Sequence, residues 1–183
     1  MSYESFLAAK AAIVPMRGFK SAPALSSHLF PFQKSCVVFN LEAGGTGLFL
    51  DTGLGKTLCQ LEYCEHARHE GNGKALLLTP LAVAQQIHRE GQKFGYSTRV
   101  IRDQDDAGDG INILNYDRMH LITPSEFSTV SLDESSILKS FTGKTTKALI
   151  AAFGLHRFKL SATATPAPND HMELGNYAEF LEI

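Results

Sequence analysis

The chain has 183 residues, 44 % hydrophobic and 20 % charged, with a net charge of -2, which describes one soluble globular domain able to bury roughly two-thirds of its unfolded surface. That balance excludes a disordered or fibrous chain, and without a basic excess any contact with nucleic acid has to be local or shared with another part of the protein. Cys36, Cys59 and Cys64 lack paired spacing, the N-terminus lacks a basic head followed by an apolar run, and no stretch approaches ~18 apolar residues; a reducing, cytoplasmic setting with no membrane partner is expected.

In chain order, Glu4 to Val14 places Phe6, Leu7, Ile13 and Val14 on one helical face and stops at Pro15, so residues 1–28 are read as a lead-in helix and loop. A helix over 29–42 is entered through Pro31, with Gln33 in its first turn. The Gln33 amide offers both a donor and an acceptor, the pair an adenine edge requires. From Gly47 an apolar run breaks into Asp51-Thr-Gly-Leu-Gly-Lys-Thr57, which reads as a buried strand feeding a phosphate-binding loop. Gly53 and Gly55 let backbone N–H groups converge on an anion, Lys56 reaches outer phosphates, and the Thr57 hydroxyl can coordinate Mg²⁺. Leu50 stands where the full pattern has its first glycine. The earlier cluster Gly44-Gly-Thr-Gly47 does not meet the dinucleotide fingerprint.

A helix over 58–69 carries Glu62 and Glu65 one turn before His66 and His69, which predicts local ion pairs, since Cys64 and the two histidines match no zinc spacing. Gly71-Asn-Gly73 caps it. A strand over 74–80, a helix over 81–94 and a strand over 96–102 give a βαβ rhythm. The acidic run 103–110 fails the calcium-loop pattern at Ala107 and Leu114 and is read as a solvated loop. Strands over 111–118, which turns, and 126–132 follow. The second ends in Asp133-Glu134, a pair placed to hold a Mg²⁺ water shell and to orient and deprotonate an attacking water. A helix over 145–153 and a strand over 157–160 lead into Ser161-Ala-Thr-Ala-Thr-Pro166, read as a turn whose hydroxyls sense a phosphate, with Asn169 or Asp170 capping a last helix over 171–181.

These segments together resemble the first RecA-like lobe of a superfamily 2 helicase, and within it the Swi/Snf-like translocases of phage and prophage type, from Leu29 to about Leu181. The resemblance implies an α/β P-loop NTPase sandwich of three layers with a mainly parallel central sheet, so that 29–183 is the ATP-binding domain. It implies ATP held by Gln33, Thr52, Gly53, Leu54, Gly55, Lys56 and Thr57, with Mg²⁺ on Thr57 and Asp133. Glu134, Asp133 and Lys56 are the implied catalytic groups; Thr163 and Thr165 resemble the coupling motif, for which Ser161-Ala-Thr163 is the other register. Thr79, Pro80, Asn115 and Tyr116 resemble positions facing nucleic acid, with double-stranded DNA the expected partner. Asp133-Glu134 is followed by Ser-Ser where many helicases have Ala-His or Ala-Asp.

In the family a second RecA-like lobe supplies arginines to the transferred phosphoryl group, and the 183 residues stop before any such lobe. Weak or absent hydrolysis by this chain alone is therefore expected. The alternative reading is a stand-alone nucleotide-binding or interaction module; a P-loop kinase is disfavoured because no arginine-rich lid is present.

Overall fold

Runs of small and aliphatic residues form six strands that all run the same way: β1 (Gly45–Phe49), β2 (Lys74–Thr79), β3 (Thr98–Val100), β4 (Gly110–Asn115), β5 (Thr129–Leu132) and β6 (Phe158–Thr163). In the computed structural model, which describes residues 16–139, 144–166 and 174–183, they form one sheet ordered β1-β6-β5-β2-β4-β3, with every pairing parallel. The expected mainly parallel RecA-like sheet is thus found. The helices are α1 (Pro31–Ala43), α2 (Lys56–Arg68), α3 (Ala84–Lys93), α4 (Lys144–Phe153) and α5 (Leu174–Leu181). The lead-in helix expected over 4–14, and Asn169 and Asp170, lie outside the described residues.

Strand alternation sorts the core into two layers. Leu77, Ile111, Ile113 and Leu160 pack with Val37, Leu41, Leu61 and Ile87 from α1, α2 and α3. Leu76, Leu78, Leu114 and Leu132 pack on the other face with Leu149, Phe153, Tyr177 and Phe180 from α4 and α5. Burial on both faces explains why β2 reads as an unbroken apolar run. Among the described residues no helix is long and apolar enough to cross a membrane.

Several boundaries differ from the sequence reading. β1 begins at Gly45, two residues before the expected run, because the small residues Gly45 and Thr46 pair with Lys159 and Leu160. α3 begins at Ala84, three residues late: a turn closed by the Val83 N–H on the Pro80 carbonyl (3.0 Å) precedes it. β3 contracts to three residues at the sheet edge, and β5 starts at Thr129, three residues late, because Glu126 ends a 3₁₀ turn started by Pro124. β6 runs three residues past Leu160, since Ser161 pairs with both Gly47 and Leu132, and Thr163 pairs with Phe49. A strand held between two neighbours accepts small polar residues that look like a turn when read alone.

A charged cluster fastens the two described ends of the chain. Glu182 Oε2 lies 2.9 Å from Arg17 and 3.0 Å from the buried Lys159 ammonium. The hydrogen bond from Lys159 first, and both cations, hold the Glu182 carboxyl below its ordinary range. A carboxylate whose folded-state proton affinity is depressed contributes stability above its unfolded pKa, about 4.3, and loses it as the folded form is protonated too. Glu182→Gln is therefore expected to be less stable than the parent at pH 7, with the gap closing as pH falls through about 4; urea unfolding across pH 2.5–7 checks this, and a gap that does not change with pH contradicts it.

Candidate functional site

With every strand parallel, the carboxyl ends of β1, β2, β4, β5 and β6 share one edge of the sheet, where ligands of open α/β sheets bind. The chain leaving β1 turns through Gly53 (φ +86°) and Gly55 (φ +74°), left-handed positions that favour glycine. A Cβ at Gly55 would lie 2.3 Å from the Gln33 amide nitrogen, so any side chain there would displace Gln33 as well as strain the backbone. Asp51 closes the loop, its carboxylate accepting the Thr52 N–H at 2.7 Å and its carbonyl the Leu54 N–H at 3.3 Å. α2 starts at Lys56 with no side-chain cap among the described residues, so its first-turn N–H groups and the positive end of its dipole face the loop.

Gln33 is buried directly against this loop. Its Nε2 donates to the Leu54 carbonyl at 2.9 Å and its Oε1 accepts the Phe30 N–H at 2.8 Å. One amide hydrogen and one oxygen lone pair are left over. Gln33 thus braces the loop as well as standing where a base could be read. Together with His28, Phe30, Phe32, Gly53, Leu54, Gly55, Leu58, Glu90 and Phe94 it lines a cleft of about 420 Å³.

The two adjacent acids occupy different environments. Asp133 is 5 % exposed, with Oδ2 accepting the Thr79 hydroxyl at 3.0 Å. Burial pushes its carboxyl above the ordinary range, opposed by the Thr79 bond and the nearby Lys56 charge. Glu134 follows with φ +47°, an uncommon angle for a side-chain-bearing residue, and one that costs of order 1–3 kcal/mol. That turn sends its half-exposed carboxylate to within 3.5 Å of Lys56 Nζ. The phosphate loop and the acids of β5 therefore meet through one ion pair.

The segment after β5 hangs from four hydroxyls. Tyr116 donates to the Asp133 carbonyl (2.7 Å) and Tyr177 to the Ser135 carbonyl (3.1 Å). Ser135 donates to the Ala162 carbonyl (3.1 Å), and the Ser161 hydroxyl donates to Ser135 Oγ (2.8 Å). The strap between the acids and β6 thus runs through Ser135 and Ser161. Thr163 is fully buried at the end of β6, where its hydroxyl accepts the Thr165 N–H at 3.1 Å. Asp51, Ser135 and Tyr177 had no role assigned from the sequence, and Ser161, read there as part of a hydroxyl turn, is instead a buried residue of β6 bonded to Ser135.

Thr79 corrects one expectation. It is fully buried with its hydroxyl on Asp133, so its side chain forms part of the floor under the acids and does not face outward towards a nucleic acid. Asn115 is nearly buried and caps the following 3₁₀ turn by accepting the Arg118 N–H at 3.0 Å. Pro80 and Tyr116, with Leu81, Asp117, Glu134 and Ser136, line a second cleft of about 400 Å³ beside the acids. The pairings expected on α2 are found as contacts, with His66 3.2 Å from Glu62 and His69 3.4 Å from Glu65, although Glu62 is buried.

The chain is similar in sequence and fold to known proteins. The chain is 29 % identical to YwqA of Bacillus subtilis, described as an ATP-dependent helicase/translocase, over 88 % of its own length and 20 % of that protein. It is 27 % identical to a Caenorhabditis elegans homolog of SWI/SNF-related matrix-associated actin-dependent regulator of chromatin subfamily A-like protein 1, over 86 % of this chain and 26 % of that one. Among solved structures, the Sulfolobus solfataricus SWI2/SNF2 ATPase core in complex with dsDNA superposes with a TM-score of 0.73 at 24 % identity, covering 89 % of this chain and 38 % of that one. The UvsW helicase of bacteriophage T4 gives 0.67 at 16 % identity, covering 97 % and 65 %. No family model matches. In sequence and fold the chain is similar to the first lobe of superfamily 2, Swi/Snf-like helicases, as its motifs indicated, and it spans only a fifth to a quarter of the curated relatives it matches.

Removing the hydroxyl beneath Asp133 leaves a buried carboxylate short of a donor. Thr79→Val is expected to destabilise the fold by about 1–3 kcal/mol at neutral pH, and Thr79→Ser to recover most of it. Chemical denaturation of both variants checks this; equal stabilities for Val and Ser would contradict it.

Proposed function

We propose that this chain is the ATP-binding lobe of an ATP-dependent DNA translocase or helicase that hydrolyses ATP to ADP and phosphate. The observation that carries the reading is the meeting of a glycine loop and an acid pair at one sheet edge, joined by Lys56 and Glu134 at 3.5 Å. The residues fit a magnesium nucleotide. An uncapped helix start faces a loop whose Gly55 is left-handed and set against the Gln33 amide, and a desolvated carboxylate at Asp133 lies close enough to Lys56 to feel its charge.

In this proposal Thr52, Gly53, Leu54, Gly55 and Lys56 cradle the phosphates, Gln33 reads the base with its remaining amide donor and acceptor, and Thr57 and Asp133 hold Mg²⁺. The metal, when bound, neutralises charge on the phosphate oxygens. Lys56 exchanges its contact with Glu134 for the outer phosphate. Glu134, freed and half-exposed, orients a water and accepts its proton. Asp133 stays in place because Thr79 and Tyr116 hold its side chain and carbonyl.

Thr163 and Thr165 are assigned the coupling role because they close the end of β6, whose Ser161 and Ala162 are strapped to Ser135. Nucleic acid is assigned to the Pro80 and Tyr116 side, where the second cleft reaches Glu134; the dsDNA in the similar Sulfolobus core supports duplex DNA as the track. A second RecA-like lobe, supported by the greater length of the relatives, would supply the arginines that complete the site.

In the two-lobe protein, Lys56→Ala is expected to abolish ATP binding. Glu134→Gln is expected to bind ATP while hydrolysis falls by about 10²-fold or more. Nucleotide-binding titrations and a DNA-stimulated phosphate-release assay check both, and ordinary turnover by either variant contradicts the proposal.

A further inference from the structure

Glu62 carries no role in the phosphate chemistry, yet it is a carboxylate only 2 % exposed with three different partners. It lies on α2 one turn beyond Leu58, so the two side chains share a helix face. Leu58 lines the cleft beside Gln33, and Glu62 sits behind it. Its Oε1 accepts the Ser26 N–H at 2.6 Å and lies 3.2 Å from His66 Nε2, while Oε2 accepts the Tyr96 hydroxyl. Burial works to raise the carboxyl's proton affinity, but these donors outweigh it and keep the group below its ordinary range, so it is a carboxylate at neutral pH.

Two of those donors belong to segments that build the cleft wall. Ser26, whose hydroxyl accepts the His28 N–H at 3.2 Å, fixes the start of the segment carrying His28, Phe30 and Phe32. Tyr96 stands two residues beyond Phe94 in a turn closed by the Tyr96 N–H on the Gly91 carbonyl at 2.9 Å. The His28 and Phe94 rings meet at 5.2 Å between centroids, and both face the cleft. At that separation no base fits between them. Tilted 55° to one another, they form an aromatic corner in which a flat heterocycle can lie against one ring and meet the other, in the cleft that Gln33 lines with its spare donor and acceptor.

We propose that Glu62 is a positioning residue for the base-binding half of the nucleotide cleft: by pinning Ser26 and Tyr96 to α2 it holds the His28–Phe94 pair in place in the cleft that Gln33 also lines, where a purine ring would lie. The inference rests on the nucleotide reading above and deepens it. It also separates two binding contributions that meet on α2, the phosphate cradle at its first turn and the base wall anchored one turn further on.

Mg·ATP and Mg·tripolyphosphate, which share phosphates but differ in the base, are titrated against the full 183-residue chain and against Glu62→Gln and Tyr96→Phe, each variant first shown to melt cooperatively. Tyr96→Phe removes a single hydroxyl and keeps the test available should Glu62→Gln not fold. The wild-type chain is expected to prefer ATP. In Glu62→Gln the dissociation constant for ATP rises about tenfold, and in Tyr96→Phe about threefold, while that for tripolyphosphate stays within about twofold. A merely structural carboxylate would weaken both ligands in proportion or neither, and either result overturns the proposal. Wild-type binding of tripolyphosphate with no gain from the base overturns it too, but leaves the phosphate loop standing. If the wild-type chain binds neither, the nucleotide reading falls and this inference falls with it.

Discussion

The contact between Lys56 and Glu134 is the interaction around which the site is arranged, and its 3.5 Å separation depends on a backbone angle few residues adopt. Lys56 comes from the first turn of α2 and Glu134 from just beyond the end of β5, two elements far apart in sequence. An anion entering the glycine loop competes directly with Glu134 for the lysine. Under the proposed function, nucleotide binding and release of Glu134 from Lys56 would then be one event.

What keeps that exchange local is the rigidity around Asp133. Its carboxylate is fastened by Thr79, its carbonyl by Tyr116, and the following serine by Ser161, Ala162 and Tyr177. Thr79 ends β2, Tyr116 follows β4, Ser161 and Ala162 lie in β6 and Tyr177 in α5; the strand ends meet because all the strands run the same way and deliver their carboxyl ends to one edge. Glu134 is half-exposed with its carboxylate on Lys56, whereas Asp133 is buried and held at both its carboxylate and its carbonyl. Under the proposed function these different environments are what give two adjacent acids separate roles.

Much of this was legible in the sequence. The glycine loop, the acid pair and the βαβ order are local patterns, each set by residues close together in the chain, and the structure brings them to one edge. Illegible features were those decided by partners far away in sequence. The hydroxyls of Ser161 and Thr163 looked like a turn because nothing nearby reveals that β6 lies between β1 and β5. Thr79 read as outward-facing because its partner is 54 residues on. Glu62 matched the pattern of a helical surface pair with His66, and only the fold shows Ser26 and Tyr96 closing over it.

Everything in this account turns on whether the sheet edge holds a nucleotide with its metal, and equilibrium titration of ATP into the chain, with and without Mg²⁺, reads that most directly. A single saturable site that Mg²⁺ tightens is the result predicted from the glycine loop and the buried Asp133. No saturable binding, or binding indifferent to Mg²⁺, would contradict it.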